Sequence, residues 1–392
     1  MKVFHQLGHN RKWAIDSYFE NAVGDGFIFG AYNCTETDFV DKVAGKAKDD
    51  YLGVSMIDLQ YYGSKRSDGG KLDTYEFHPT HMPQDGSTSV DGIGLIQKGV
   101  KFQRKLGLKS IIVPTMHYEA CDLKKCNRLL STINKEIPLK RGDEEKVYMT
   151  LCIPKDGIIS REYVEELMVA ATDMSIKFDG YYIACEPVVE YKKKVSIDYK
   201  YYENLLYVFQ TLKGQGFETI YAYANWDALL FSALCDIDYI TIGTYENLRN
   251  FSCDRFTETL PGGPSKGWYF SERLLNFVRA QELDILRHAD CLEVIANSRN
   301  IFSDTILDKQ YSWNTHKPDV HKNYLLAISR LLKNLAKERE ATVRTKKLIG
   351  LVEGAREAYK TLESKHKVYL QEESSNYHLG AWLTFLKRHQ VE

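Results

Sequence analysis

Eight times before residue 250, a short run of β-branched and aromatic residues ends in polar residues and gives way to a stretch with helical spacing. The runs cover residues 2–7, 26–33, 52–58, 109–115, 146–153, 179–186, 218–224 and 238–244. Most are continuously apolar rather than alternating, as strands covered on both faces must be. Helical stretches at 11–22, 36–48, 92–106, 123–135, 160–176, 198–213 and 226–234 lie between them. Several carry start signals, such as Thr35 ahead of Glu36, and Ser160 with Tyr163, Leu167 and Ala170 on one face. Eight strand–helix units in about 250 residues predict an α/β fold, a (β/α)8 TIM-type barrel. The open doubly wound sheet competes less well, because no GxGxxG follows the first strand and no GxxxxGK[ST] occurs.

The rhythm stops after residue 250. A Gly/Pro-rich run at 260–267 breaks the chain, and helical spacing at 271–288, 321–340, 342–365 and 380–390 follows. Leu325, Ile328, Leu332 and Leu335 form one apolar stripe. Residues 1–250 are therefore read as the barrel, with a long loop at 59–91 over its mouth. Residues 251–392 are read as a helical region packed on the barrel or on a partner, a protein or a second copy. The whole chain has a formal net charge of -1, yet 321–367 hold twelve Lys and Arg against five acids. A face of this kind can track phosphates. Lys333, Lys337, Arg344, Lys346 and Lys347 are its candidate nucleic-acid contacts, the plain alternative being a solvated helix surface.

No run reaches the ~18 apolar residues that a bilayer requires. The first ten residues lack the apolar core of a signal peptide. Eight scattered cysteines fit reduced thiols better than a disulfide framework, so a cytoplasmic location is expected, with no membrane partner.

In a barrel of this type the chemistry gathers where the strands end at their C-terminal side. Glu186 closes the apolar run 181–185 just before Pro187, and Asp58 closes 54–57 in the same way. Glu246 follows the last strand. A carboxylate delivered to the rim by an apolar strand tends toward a raised pKa and can serve as acid, base or nucleophile. Asn33, Gln60, His117, Asn225, Trp226, Tyr245, Asn247 and Arg249 are the candidate substrate contacts. Trp226 and Tyr245 would stack on a planar or sugar ring, Asn225 and Asn247 would hydrogen-bond it, and Arg249 would grip a phosphate or carboxylate. A core position is the competing reading for Trp226, and a salt bridge for Glu186. His78 and His81, without a neighbouring ligand at suitable spacing, do not make a metal site, and no cofactor is expected.

The stretch from Cys235 to Asn250, with Asp236-Ile237-Asp238, Thr244 and Leu248-Arg249-Asn250, resembles the strand-8 region of tRNA-guanine transglycosylase-like barrels. The resemblance covers about sixteen residues and implies a barrel fold and chemistry at an N-glycosidic carbon. That family's aspartate nucleophile is matched here by Ile240, and its Cys-x-Cys-x-x-Cys zinc cluster does not occur after residue 250.

Together these features predict a barrel enzyme, hydrolase or glycosyltransferase in type, acting on a glycosidic or N-glycosidic bond of a nucleoside or nucleic acid through Asp58, Glu186 and Glu246. Two alternatives stand beside it. One is a carbohydrate-active barrel hydrolase. The other is a non-catalytic nucleic-acid-binding or structural subunit of a larger complex.

Overall fold

The computed structural model describes residues 1–43, 53–62, 71–81, 91–115, 123–137, 142, 144–257, 267–313 and 317–390. Eight parallel strands form the predicted TIM-type barrel: β1 (Lys2–Leu7), β2 (Gly26–Gly30), β3 (Ser55–Asp58), β4 (Ser110–Val113), β5 (Lys146–Ile153), β6 (Gly180–Cys185), β7 (Glu218–Tyr221) and β8 (Tyr239–Gly243). Their order is β3-β2-β1-β8-β7-β6-β5-β4, a ring in which β3 and β4 lie side by side without a hydrogen-bonded ladder among the described residues. Strands β2 and β6 are buried along their whole length, which is why they read as unbroken apolar runs.

Each strand sends one large side chain to the axis. Phe4, Ile28, Met56, Ile112, Tyr148, Tyr182, Ile220 and Tyr239 pack there as one interior cluster, so the barrel is filled. Residues of the opposite parity, such as Val3, Phe27, Ile57, Ile111, Ile183 and Ile240, face the surrounding helices. Gly26 is required by this filling, because a Cβ there would meet the Phe4 ring at 2.6 Å and the Val54 carbonyl at 2.4 Å.

At the N-terminal end of the barrel one device appears three times. Asp25, Asp179 and Asp238 each immediately precede a strand and accept the backbone N–H of Val3, Val147 and Thr219 on the neighbouring strand, each at 2.8 Å. A carboxylate there satisfies an amide at the end of a ladder and fixes the register between strands.

The barrel helices are α1 (Arg11–Asn21), α2 (Glu36–Val43), α3 (Asp91–Lys105), α4 (Leu123–Glu136), the short α5 (Lys155–Ile158), α6 (Arg161–Ala171), α7 (Tyr199–Gly214) and α8 (Ala228–Leu234). Ser160 and Asp198 cap α6 and α7, accepting the N–H of Tyr163 and Tyr201. A short α9 (Asp254–Thr257) follows β8. Of the expected loop over the mouth, residues 59–62 and 71–81 are described, and Tyr61, Tyr62, Leu72 and Tyr75 in them are buried.

The C-terminal region differs from its purely helical prediction. Residues 271–288, expected as one helix, contain the turn and second strand of an antiparallel hairpin, β9 (Trp268–Ser271) and β10 (Asn276–Arg279), and then α10 (Ala280–His288). Leu275 turns the hairpin with φ +49°. Next come α11 (Ile301–Leu307), α12 (Pro318–Ala336), α13 (Ala341–Ser364) and α14 (Leu379–Arg388). The stripe Leu325, Ile328, Leu332 and Leu335 is buried within this chain, where α12 packs on α1, α8, β1 and β8. Helix α13 rests on α8, and α14 on α7. No helix among the described residues is long and apolar enough to cross a membrane.

Trp382 fastens α14 to the barrel. It is fully buried and donates from Nε1 to the Tyr202 hydroxyl at 3.0 Å. Trp382→Ala is expected to cost about 3–5 kcal/mol in urea denaturation, through lost packing and the cavity left behind. A cost below 1 kcal/mol would show that α14 is held by other contacts.

Asp227, just after β7, is buried near Tyr201, Tyr202 and Tyr221, with Oδ1 unpartnered, and burial pushes its carboxyl up to about 7. Below pH ~4 the carboxyl is protonated whether the chain is folded or unfolded. As pH rises towards 7 only the unfolded chain ionises, so stability falls by up to about 4 kcal/mol and then levels off. Asp227→Asn is expected to abolish this decline when stability is measured at several pH values. A wild-type-to-variant difference independent of pH would contradict the assignment.

Candidate functional site

Where β3 ends, Asp58 points to the barrel axis with 2% of its surface exposed. Its carboxylate accepts hydroxyl hydrogen bonds from Tyr62 (3.1 Å to each oxygen), Tyr182 (3.0 Å) and Tyr223 (2.8 Å), and the Gln60 N–H at 2.9 Å. Burial raises its pKa, and the four donors oppose that shift. Gln60, held at φ +55°, extends the network: Nε2 donates to Tyr223 at 2.7 Å, and Oε1 accepts the Tyr32 N–H at 2.7 Å. Phe251 packs on Tyr62 and Tyr223, and Phe256 packs on Tyr62. Asp58 is thus the polar centre of a closed plug.

The open space lies to one side. A cavity of about 680 Å³ is bounded by the loops after β6 and β8, by the hairpin β9–β10 and by the start of α12. Tyr245, Glu246, Asn247 and Arg249, four of the residues expected from the sequence, line it together. Tyr245 accepts a hydrogen bond from Asn10 and packs against the His321 ring at 4.7 Å. The Glu246 side chain is 54% exposed and pairs at 3.0 Å with Lys194, whose own side chain is 7% exposed. Burial lowers the Lys194 pKa, while Glu246 supports its charge. The ammonium also lies 4.0 Å from the centre of the Trp268 ring. Arg249 packs beside the stacked pair Phe277 and Tyr324, its guanidinium 4.7 and 4.4 Å from the two ring centres. Glu373, bonded to Arg279, lines the cavity as well.

The remaining sequence candidates do not line this cavity. Glu186 accepts the backbone N–H groups of Lys155 (3.0 Å) and Cys253 (2.7 Å), tying two loops together. Trp226 is fully buried against Phe270, Phe277 and His378, so it packs in the core and offers no face to a ligand. Asn225 is buried and bonds the Lys194 carbonyl at 2.9 Å and Asn250 at 3.1 Å, which positions the cavity loop. Asn33 is half-buried in a turn after β2. His117 lies outside the described residues.

The basic helices are largely engaged within the chain. Lys333 pairs with Asp25 at 2.9 Å, Arg344 with Asp236 at 2.7 Å and Lys347 with Glu338 at 2.9 Å. Arg344 is buried and also donates to the carbonyls of Ala233, Glu338 and Arg339, so it has no surface to offer a phosphate backbone. Lys337 bonds Asn334, and Lys346 is exposed.

Sequence reading missed Lys194, Trp268 and Glu373. The run Lys192-Lys193-Lys194, seven residues beyond the end of β6, was the available signal for the first. The others come from a hairpin and a turn that only the tertiary fold brings to the barrel. Among the described residues, no group of three or more His, Cys, Asp or Glu is arranged to hold a metal ion, and the seven described cysteines are free thiols. Comparison with protein-family models finds no match to this chain, and comparison with curated protein sequences finds none either.

Proposed function

We propose that this barrel is an enzyme acting on a glycosidic or N-glycosidic bond of a small ligand held in the lateral cavity, with Glu246 as its reactive carboxylate. One observation carries the reading. Of the three carboxylates that the strand ends single out, Glu246 alone reaches an open, aromatic-walled space at the C-terminal side of the barrel.

The chemistry follows from charge. Breaking a glycosidic bond develops positive charge at the anomeric carbon, and an ionised carboxylate beside it stabilises that charge or attacks it. Lys194 pairs with one oxygen of Glu246, and the exposure of Glu246 leaves its second oxygen approachable. Glu373, held by Arg279, supplies a second carboxylate lining the same cavity, as base or electrostatic partner. The cavity lies in the range of small-molecule sites, and the Trp268 and Tyr245 rings offer flat faces to a sugar or base. The resemblance near β8 favours an N-glycosidic bond over an ordinary sugar linkage.

The test is a panel of aryl glycosides and nucleosides assayed with the full chain. Glu246→Gln is expected to lower kcat at least about 100-fold with little change in KM, since the amide keeps the shape and loses the charge. Trp268→Ala is expected to raise KM about tenfold with a smaller effect on kcat, as loss of a stacking face does. Unchanged turnover in Glu246→Gln would overturn the proposal.

A further inference from the structure

Among the described residues, buried arginines have partners, with one exception. Arg104 grips Glu145, its Nη2 at 2.6 Å and its Nε at 3.1 and 3.2 Å. Arg344 pairs with Asp236 and donates to three carbonyls. Arg249 is 8% exposed, and its side chain makes no hydrogen bond or ion pair with any described residue. The guanidinium packs beside the stacked rings of Tyr324 and Phe277, at 4.4 and 4.7 Å, and it lines the lateral cavity. A guanidinium desolvated this far and left without an acceptor is arranged for an anion that arrives from outside the chain.

We infer that the cavity is a subsite for the phosphate monoester of a small molecule, gripped by Arg249 with Lys193 as the second cation. This rests on the cavity already assigned to the substrate, and it names the substrate's class. The charge count selects the monoester. Four cations and two carboxylates line the space. Lys192 pairs with Glu372, Lys194 with Glu246, and Glu373 with Arg279. Lys193, over the Tyr377 ring at 4.4 Å, and Arg249 remain without a carboxylate among the described residues. Two unmatched positive charges balance a phosphate dianion, whereas a carboxylate or a backbone phosphodiester brings one negative charge. The position of Arg249 also suits the fold, because the loop after the eighth strand is among those that frequently hold phosphate in such barrels.

The experiment is calorimetric titration of the full chain with phenyl phosphate, inorganic phosphate, benzoate and a single-stranded oligonucleotide without terminal phosphate. Phenyl phosphate is expected to bind at least about tenfold more tightly than benzoate. Its affinity is expected to rise about tenfold from pH 5 to pH 7, as the monoester gains its second charge near pH ~6. Arg249→Lys is expected to weaken binding about tenfold, because it keeps the charge and loses the fork. Lys193→Ala, at a more exposed position, is expected to weaken it about threefold and provides a result should Arg249 variants fold poorly. Equal binding of benzoate and phenyl phosphate overturns the inference, as does tighter binding of the oligonucleotide. Glycosidic turnover of neutral substrates without phosphate binding overturns it too, and leaves the glycosidic reading standing. Arg249-dependent phosphate binding without any glycosidic turnover supports the subsite and sinks that reading instead.

Discussion

A barrel of eight parallel strands has to fill its own axis, and the top of this one is filled around a single carboxylate. The hydroxyls of Tyr62, Tyr182 and Tyr223 converge on Asp58, and Gln60 joins two of the participating loops to it. Such a cluster is stable only when every member is satisfied, since a half-paired carboxylate in so dry a place would be costly. The rings of Phe251 and Phe256 seal it. The consequence is geometric. With the axis closed, the open cavity lies to one side, between the loops after β6 and β8.

That displacement changes the meaning of the C-terminal region. Read from sequence it is an appendage, yet the hairpin β9–β10 and the first turn of α12 form a wall of the cavity. The wall is itself held from behind by amides. Asn276 in β10 donates to the carbonyls of Glu373 and Ser375 at 3.0 and 2.8 Å. Asn297 and Asn323 both donate to the Phe270 carbonyl, and Asn300 joins Asn323. Buried amides of this kind fix one arrangement of the backbone. They carry Trp268 and Phe277 to positions over Lys194 and Arg249. Barrel and C-terminal region therefore build the site together.

The barrel strands were legible because burial on both faces leaves an unbroken apolar signature that no exposed segment copies. Helices α12, α13 and α14 were legible because one apolar stripe faces one way. The hairpin was not. Its two strands have four residues each, too few for a period of two to stand out from helical spacing, and Leu274 and Leu275 fill the turn where Gly or Asn would have marked it. Among the candidate residues, Tyr245, Glu246, Asn247 and Arg249 were chosen by position after the last strand, and the fold brings them to one cavity. Trp226 was misjudged for the reason that makes tryptophan ambiguous: the same ring serves a core or a ligand, and only the neighbours decide.

Charge was the hardest property to read, and the failure has a physical cause. The conspicuous basic run between residues 321 and 367 is a matter of linear density, and folding matches Lys333 and Arg344 to acids far away in the sequence and Lys347 to Glu338, just before its own helix. Arg249 lies outside that run, and what distinguishes it is the lack of a partner after burial. A solvated lysine neutralised by a nearby glutamate changes little whether or not a ligand arrives. A guanidinium removed from water and packed beside the Phe277 and Tyr324 rings has already lost much of its hydration, so an incoming anion gains the interaction with little left to strip. The number of charges along a sequence is therefore a weak guide to binding here. The number left unmatched inside the fold is the stronger one, and at the mouth of this barrel Arg249 makes the strongest case.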